Sequence, residues 1–85
     1  MIRPDELLTV LVVDDIDASR TQLVDLVTDI GHHCLQSANG REALQCIDAM
    51  KVDIVLLDLL MPDVDGFEIT RQIRQRITGK WLPVI

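Results

Sequence analysis

Aromatic side chains are nearly absent. There is no tyrosine, and Phe67 and Trp81 are the only phenylalanine and tryptophan in 85 residues. A core built by this chain is therefore aliphatic, drawn from the 48% of residues that are hydrophobic. Cysteine is scarce as well. Cys34 and Cys46 alone do not make the disulfide framework of a small secreted domain, and they fit two reduced, mostly buried thiols of a cytosolic protein. Basic residues are outnumbered, 8 Lys+Arg against 14 Asp+Glu, for a formal charge of −6. That balance argues against nucleic acid or an anionic membrane as the partner of this segment. The longest apolar run is cut by Asp58 and falls far short of a membrane span. Asp5 and Glu6 stand where the apolar part of a signal peptide would begin. No low-complexity segment and no repeat of fixed period is found. The length suits one small domain, which buries only roughly 60% of the surface its unfolded chain exposes.

What is present centres on residues 52–68, VDIVLLDLLMPDVDGFE. The run Ile54-Val55-Leu56-Leu57 suits a strand covered on both faces, and it ends abruptly in a carboxylate, Asp58. Earlier, Thr9-Val10-Leu11-Val12-Val13 reads as an equally apolar, central strand that ends in Asp14-Asp15. A helix follows, with Asp17 as its N-cap and Leu23, Leu26, Val27 and Ile30 at helical spacing on its apolar face. Gly31 stops it. Residues 33–38 read as a second, more polar strand at an edge. Asn39 and Glu42 form a capping box at the start of a second helix, whose buried stripe is Ala43, Leu44, Ile47 and Met50. After Asp58, Pro62 forbids a continued central strand. Asp65 and Glu68 repeat the capping pattern, and Ile69, Ile73 and Ile77 mark the inner face of a third helix. Arg71, Gln72, Gln75 and Arg76 face water on that helix, residues 78–80 end it, and residues 82–85 begin a fourth strand.

Strands alternating with helices predict βαβ units, a parallel sheet and helices on both of its faces. The first and third strands are the most apolar, so they are expected side by side. Their carboxylates, Asp14, Asp15 and Asp58, then converge at one edge of the sheet, the edge where ligands bind in open α/β folds. Two unit charges about 4 Å apart cost roughly 4 kcal/mol at an effective dielectric of 20. Three such groups must raise a pKa, share protons or hold a cation; a hard divalent ion such as Mg2+ is the simplest resolution, and it takes carboxylates, a backbone carbonyl and retained waters. The backbone near Leu60 is placed to supply the carbonyl. A cation beside an exposed carboxylate is a place to receive a phosphoryl group, with the carboxylate as nucleophile. His32-His33-Cys34 lacks a fourth ligand at suitable spacing and is set aside as a metal site. Asp63 reads as a turn residue, and Trp81 as a packing residue.

These residues closely resemble the receiver domain of two-component response regulators. The match runs through Val12-Val13-Asp14-Asp15, Gly31, the segment from Ala38 to Leu44, and residues 53–68, at the family's spacing along nearly the whole chain. The resemblance implies a flavodoxin-like doubly wound parallel sheet with strand order 2-1-3-4-5. It implies that Asp58 is the phosphoacceptor, that Asp15 is an acidic Mg2+ ligand supported by Asp14, and that the Leu60 carbonyl is the third protein ligand. The donor would be a phosphohistidine on a partner histidine kinase or phosphotransfer domain in the cytoplasm. The module would not be an enzyme beyond its own phosphorylation and dephosphorylation.

The family pattern has five βα units, with a Ser or Thr after strand four and a Lys after strand five. Residues 1–85 reach only the fourth strand, and Lys51 and Lys80 sit elsewhere. The expectation is an incomplete domain, the N-terminal portion of a receiver with four strands and three helices. Its bare apolar sheet surface would favour a homodimer. Two other functions compete. One is a receiver-like interaction or oligomerisation fragment that is never phosphorylated. The other uses Asp15-Ile16-Asp17, which is similar to the nucleophile motif of haloacid-dehalogenase-type phosphatases.

Overall fold

The structure is a computed structural model, and it describes residues 7–58 and 66–76. The elements alternate as expected: β1 (Thr9–Val13), α1 (Asp17–Ile30), β2 (His33–Ser37), α2 (Gly40–Ala49), β3 (Ile54–Leu57) and α3 (Gly66–Arg76). The three strands form one parallel sheet in the order β2-β1-β3. The two most apolar strands, β1 and β3, are thus neighbours, and the most polar one, β2, lies on the far side of β1. Asp65, Ile77, Trp81 and the expected fourth strand lie outside the described residues.

Alternation along the strands divides the core in two. Leu11, Val13, Val55 and Leu57 point to one face and pack with Ala43 of α2 and with Ile69 and Ile73 of α3. Val10, Val12 and Leu56 point to the other and pack with Leu23, Val24 and Val27 of α1. Both faces are covered by helices, as right-handed crossovers require. Among the described residues the core is aliphatic, and Leu11, Val12, Val13, Val55 and Ile73 are its largest fully buried side chains.

Register is set at both ends of the sheet. Val13 stands opposite Leu57 on one side and Ser37 on the other. At the start of β1, Thr9 and Asp53 are joined twice. The Asp53 N–H donates to the Thr9 carbonyl at 2.8 Å, and the Thr9 N–H donates to Asp53 Oδ2 at 2.8 Å.

The helix ends follow their local chemistry. Gly31, at φ 105, ends α1 in the left-handed conformation that glycine adopts without strain. Its N–H bonds the Thr28 carbonyl and that of His32 bonds the Val27 carbonyl, the Schellman pattern. Asn39 caps α2 by accepting from the Glu42 N–H at 2.9 Å, while Glu42 accepts from the Ala38 N–H at 3.2 Å. On α3, Arg71 and then Gln72 hydrogen-bond Glu68 and hold its carboxyl below the usual range. Both cysteines are free and half-buried, and burial raises the Cys34 thiol above its ordinary value.

Four expectations are corrected. Asp17 is the first residue of α1 rather than its cap; Ile16 holds the cap position and makes no side-chain cap. Leu26 and Ile30 are 57% and 66% exposed, so Val27 and Leu23 carry the helix face that meets the sheet. Met50 closes α2 and is exposed because the chain has already turned extended there. Gln72 is half-buried against Glu68 rather than facing water.

Ile73→Ala removes a fully buried side chain from the larger cluster and is expected to cost about 2–5 kcal/mol, read from urea unfolding. Asn39→Ala is expected to cost about 1 kcal/mol in the same measurement, through loss of the α2 cap alone.

Candidate functional site

The site is built by strand ends. Because β1 and β3 run parallel and pair Val13 with Leu57, the next residues, Asp14 and Asp58, leave the sheet at the same level. The Asp58 N–H donates to the Val13 carbonyl at 3.0 Å, and the Asp14 N–H donates to the Ser37 carbonyl at 3.2 Å. These bonds extend both ladders one residue past the strands. They hold both aspartates at the edge rather than letting them splay into loops.

Asp14, Asp15 and Asp58 come together there. One carboxylate oxygen from each lies within 4.8 Å of the other two. Asp14 is buried, Asp58 half-buried and Asp15 exposed, so the cluster opens to solvent on one side. A cleft of about 420 Å³ borders it, lined by Asp14, Leu23, Leu56, Leu57 and Asp58. All three donors are hard oxygens, the set that suits Mg2+ or Ca2+ rather than a softer metal. No nitrogen or sulfur ligand belongs to the group. His32 is turned elsewhere, accepting from the Leu8 N–H through Nδ1 at 3.0 Å. Leu60, Pro62 and Asp63 lie outside the described residues.

Asp17, the second acid of the Asp15-Ile16-Asp17 motif, stands apart from the cluster. Its side chain is 89% exposed and is paired with Arg20. Asp17 is not among the carboxylates that meet at the strand ends.

Two residues of the surroundings carried no signal in the sequence reading. Ser19 donates from Oγ to Asp14 Oδ2 at 2.8 Å. Arg20 donates from one terminal nitrogen to the Asp14 backbone carbonyl at 2.9 Å, and from Nε to Gln36 Oε1 at 3.0 Å. Asp14 Oδ1 meanwhile accepts from the Ile16 N–H at 3.0 Å. The available clue was spacing. Residues five and six positions after a strand-end aspartate lie one turn into the next helix and can reach back to it.

Known proteins resemble this chain in sequence and fold. The family model of the response regulator receiver domain matches residues 10–85. The sensor histidine kinase RcsC of Escherichia coli (strain K12) is 41% identical over 76 residues, which is 89% of this chain and 8% of that protein. The chemotaxis response regulator CheY4 of Vibrio cholerae superposes with a TM-score of 0.86 at 30% identity, over 93% of this chain and 66% of that one. The response regulator TrrA of Thermotoga maritima, solved in complex with Mg(2+)-BeF, has a TM-score of 0.77 at 33% identity, over 82% of this chain and 61% of that one. TrrA in complex with the histidine kinase ThkA has a TM-score of 0.81 at 29% identity, over 92% and 67%. The chain thus spans a small part of RcsC and about two thirds of the CheY4 chain. With its three parallel strands in the order 2-1-3 and its acidic cluster at their ends, this chain belongs to the receiver domains of two-component signalling, phosphoacceptor modules rather than classical enzymes.

Proposed function

We propose that Asp58 is the phosphoacceptor of this receiver, taking a phosphoryl group from a phosphohistidine on a partner histidine kinase or phosphotransfer domain. One observation carries the reading: three carboxylates from two adjacent parallel strands meet at the carboxyl edge of the sheet. A surface fold has no structural reason to gather three like charges, whereas a cation site needs them. Asp15 and Asp58, together with the Leu60 carbonyl, would hold Mg2+, and Asp14 would support them from its buried position. Bound there, Mg2+ would supply charge neutralisation for the phosphoryl oxygens.

The chain's own part is nucleophile and orientation. An Asp58 oxygen attacks phosphorus in line, the phosphorus–nitrogen bond to the donor histidine breaks, and its electron pair returns to the imidazole. The half-buried position of Asp58 leaves one approach from solvent, and the ladder bond from its N–H fixes the backbone behind it. TrrA, with its Mg(2+)-BeF and ThkA complexes, supports both the cation and the partner class.

Residues 1–85 are read as the N-terminal portion of such a domain, acting in the cytoplasm. No helix among the described residues is long and apolar enough to cross a membrane. A second reading, an interaction module that self-associates without being phosphorylated, is favoured by exposed Leu26 and Ile30, one turn apart on α1.

Incubated with Mg2+ and a small acyl-phosphate donor, the chain is expected to gain one hydroxylamine-labile phosphoryl group by mass spectrometry. Asp58→Asn or a chelator abolishes it. Turnover that depends on Asp15 instead of label on Asp58 would mean phosphatase chemistry. No label on the parent, together with concentration-dependent sedimentation, would mean the interaction module.

The crowding of charge has its own signature. Without divalent ions at low salt, Asp15→Asn is expected to raise the thermal midpoint, by about 4–8 °C for each 1 kcal/mol of repulsion relieved. The gain shrinks as salt screens the cluster. Added Mg2+ raises the midpoint of the parent and leaves that of Asp15→Asn nearly unchanged.

A further inference from the structure

Asp14 is held firmly within the cluster. Both of its carboxylate oxygens already accept hydrogen bonds, Oδ1 from the Ile16 N–H and Oδ2 from the Ser19 hydroxyl. Its backbone carbonyl accepts from Arg20. That carbonyl belongs to the planar peptide joining Asp14 to Asp15, so the bond from Arg20 fixes the plane from which the Asp15 side chain departs. The other Arg20 donors reach Gln36 on β2 and Asp17 on α1, so one guanidinium ties the loop between β1 and α1 to the neighbouring strand.

We infer that Ser19 and Arg20 are positioning residues for the acidic cluster: Ser19 sets the direction of the Asp14 carboxylate, Arg20 sets the backbone that carries Asp14 and Asp15, and together they determine the affinity of the site for a divalent cation. This rests on the cation-binding reading of the cluster given above.

The i,i+3 pair with Asp17 gives Arg20 a local role in α1, but its two longer-range bonds go beyond the helix. A cation in the first turn of a helix is placed against the helix dipole, where an acid is favoured. Arg20 stands there nonetheless, with its side chain only 15% exposed. A guanidinium buried to that degree needs partners, and the planar fork of arginine serves three acceptors that lysine's single nitrogen would not span. Ser19 lies inside the helix rather than at its cap, so its hydroxyl serves Asp14 and not a free amide of the first turn. Hydrogen-bond donors behind metal-site carboxylates hold them in place, and removing such partners weakens metal binding.

The test uses the 85-residue chain and its Ser19→Ala, Ser19→Thr and Arg20→Gln variants. Mg2+ affinity is measured by calorimetry, the thermal midpoint by circular dichroism, and Ile16 amide exchange by NMR without metal. Ser19→Ala is expected to weaken Mg2+ binding about tenfold or more. Ser19→Thr, which keeps the hydroxyl, restores it. Arg20→Gln weakens binding at temperatures well below its own midpoint. In the metal-free protein, Ile16 exchange quickens in Ser19→Ala and stays slow in Ser19→Thr. A merely structural role would shift the midpoint and leave the affinity of the folded protein alone. A parent that binds Mg2+ while Ser19→Ala binds it equally overturns this inference alone, as does a Ser19→Thr variant as weak as Ser19→Ala. A parent that binds no Mg2+ overturns the cation site and this inference together.

Discussion

The parallel register of β1 with β3 is the constraint on which the rest depends. It places Val13 opposite Leu57, and everything at the carboxyl edge follows from that pairing. A slip of one residue would turn Leu57 and Val55 away from α2 and α3 and expose the face they now bury. It would also carry Asp58 away from the level of Asp14. The core and the site are therefore specified by the same ladder, and the hydrophobic pattern that protects one protects the other.

Keeping three carboxylates together opposes folding, and the surroundings show how the cost is contained. Asp14, the most buried, is the one given donors by Ile16 and Ser19. Asp15 remains at the surface, where water screens it. The most desolvated acid is thus given donors that compensate its burial. The resulting site is fixed at the back and open at the front.

Much of the fold was legible because its signals are local and redundant. The two apolar strands, the Asn39 cap and the Gly31 stop each rest on a few adjacent residues, and the alternation of strand and helix allows few topologies. The acidic cluster was legible for the same reason, since strand ends in a parallel sheet share an edge. What escaped depends on distance and exposure. Leu26 and Ile30 lie at helical spacing with Leu23 and Val27, but periodicity does not say how wide a stripe the sheet can cover. The N-cap lies one residue before Asp17 because Ile16 is the last extended residue and its carbonyl accepts the first helical bond, from the Arg20 N–H. Ser19 and Arg20 look like ordinary polar residues of a helix, and nothing in their spacing from one another marks them. Their meaning lies in a turn that brings them back over a strand end.

The two aspartates that flank β3, Asp53 and Asp58, meet opposite surroundings. At the amino ends of parallel strands the unpaired backbone groups are N–H donors, and Asp53 finds the Thr9 amide waiting there. At the carboxyl ends the backbone presents carbonyls, which repel a carboxylate as surely as another carboxylate does. Asp53 is therefore a fastener, satisfied by the chain itself. Asp14 and Asp58 stand at the opposite end, where the strands themselves present carbonyls. The polarity of the sheet thus gives its two edges different chemistry: at one the strand amides take up negative charge directly, and at the other donors come from the loop and helix that follow, as Ile16 and Ser19 supply them to Asp14.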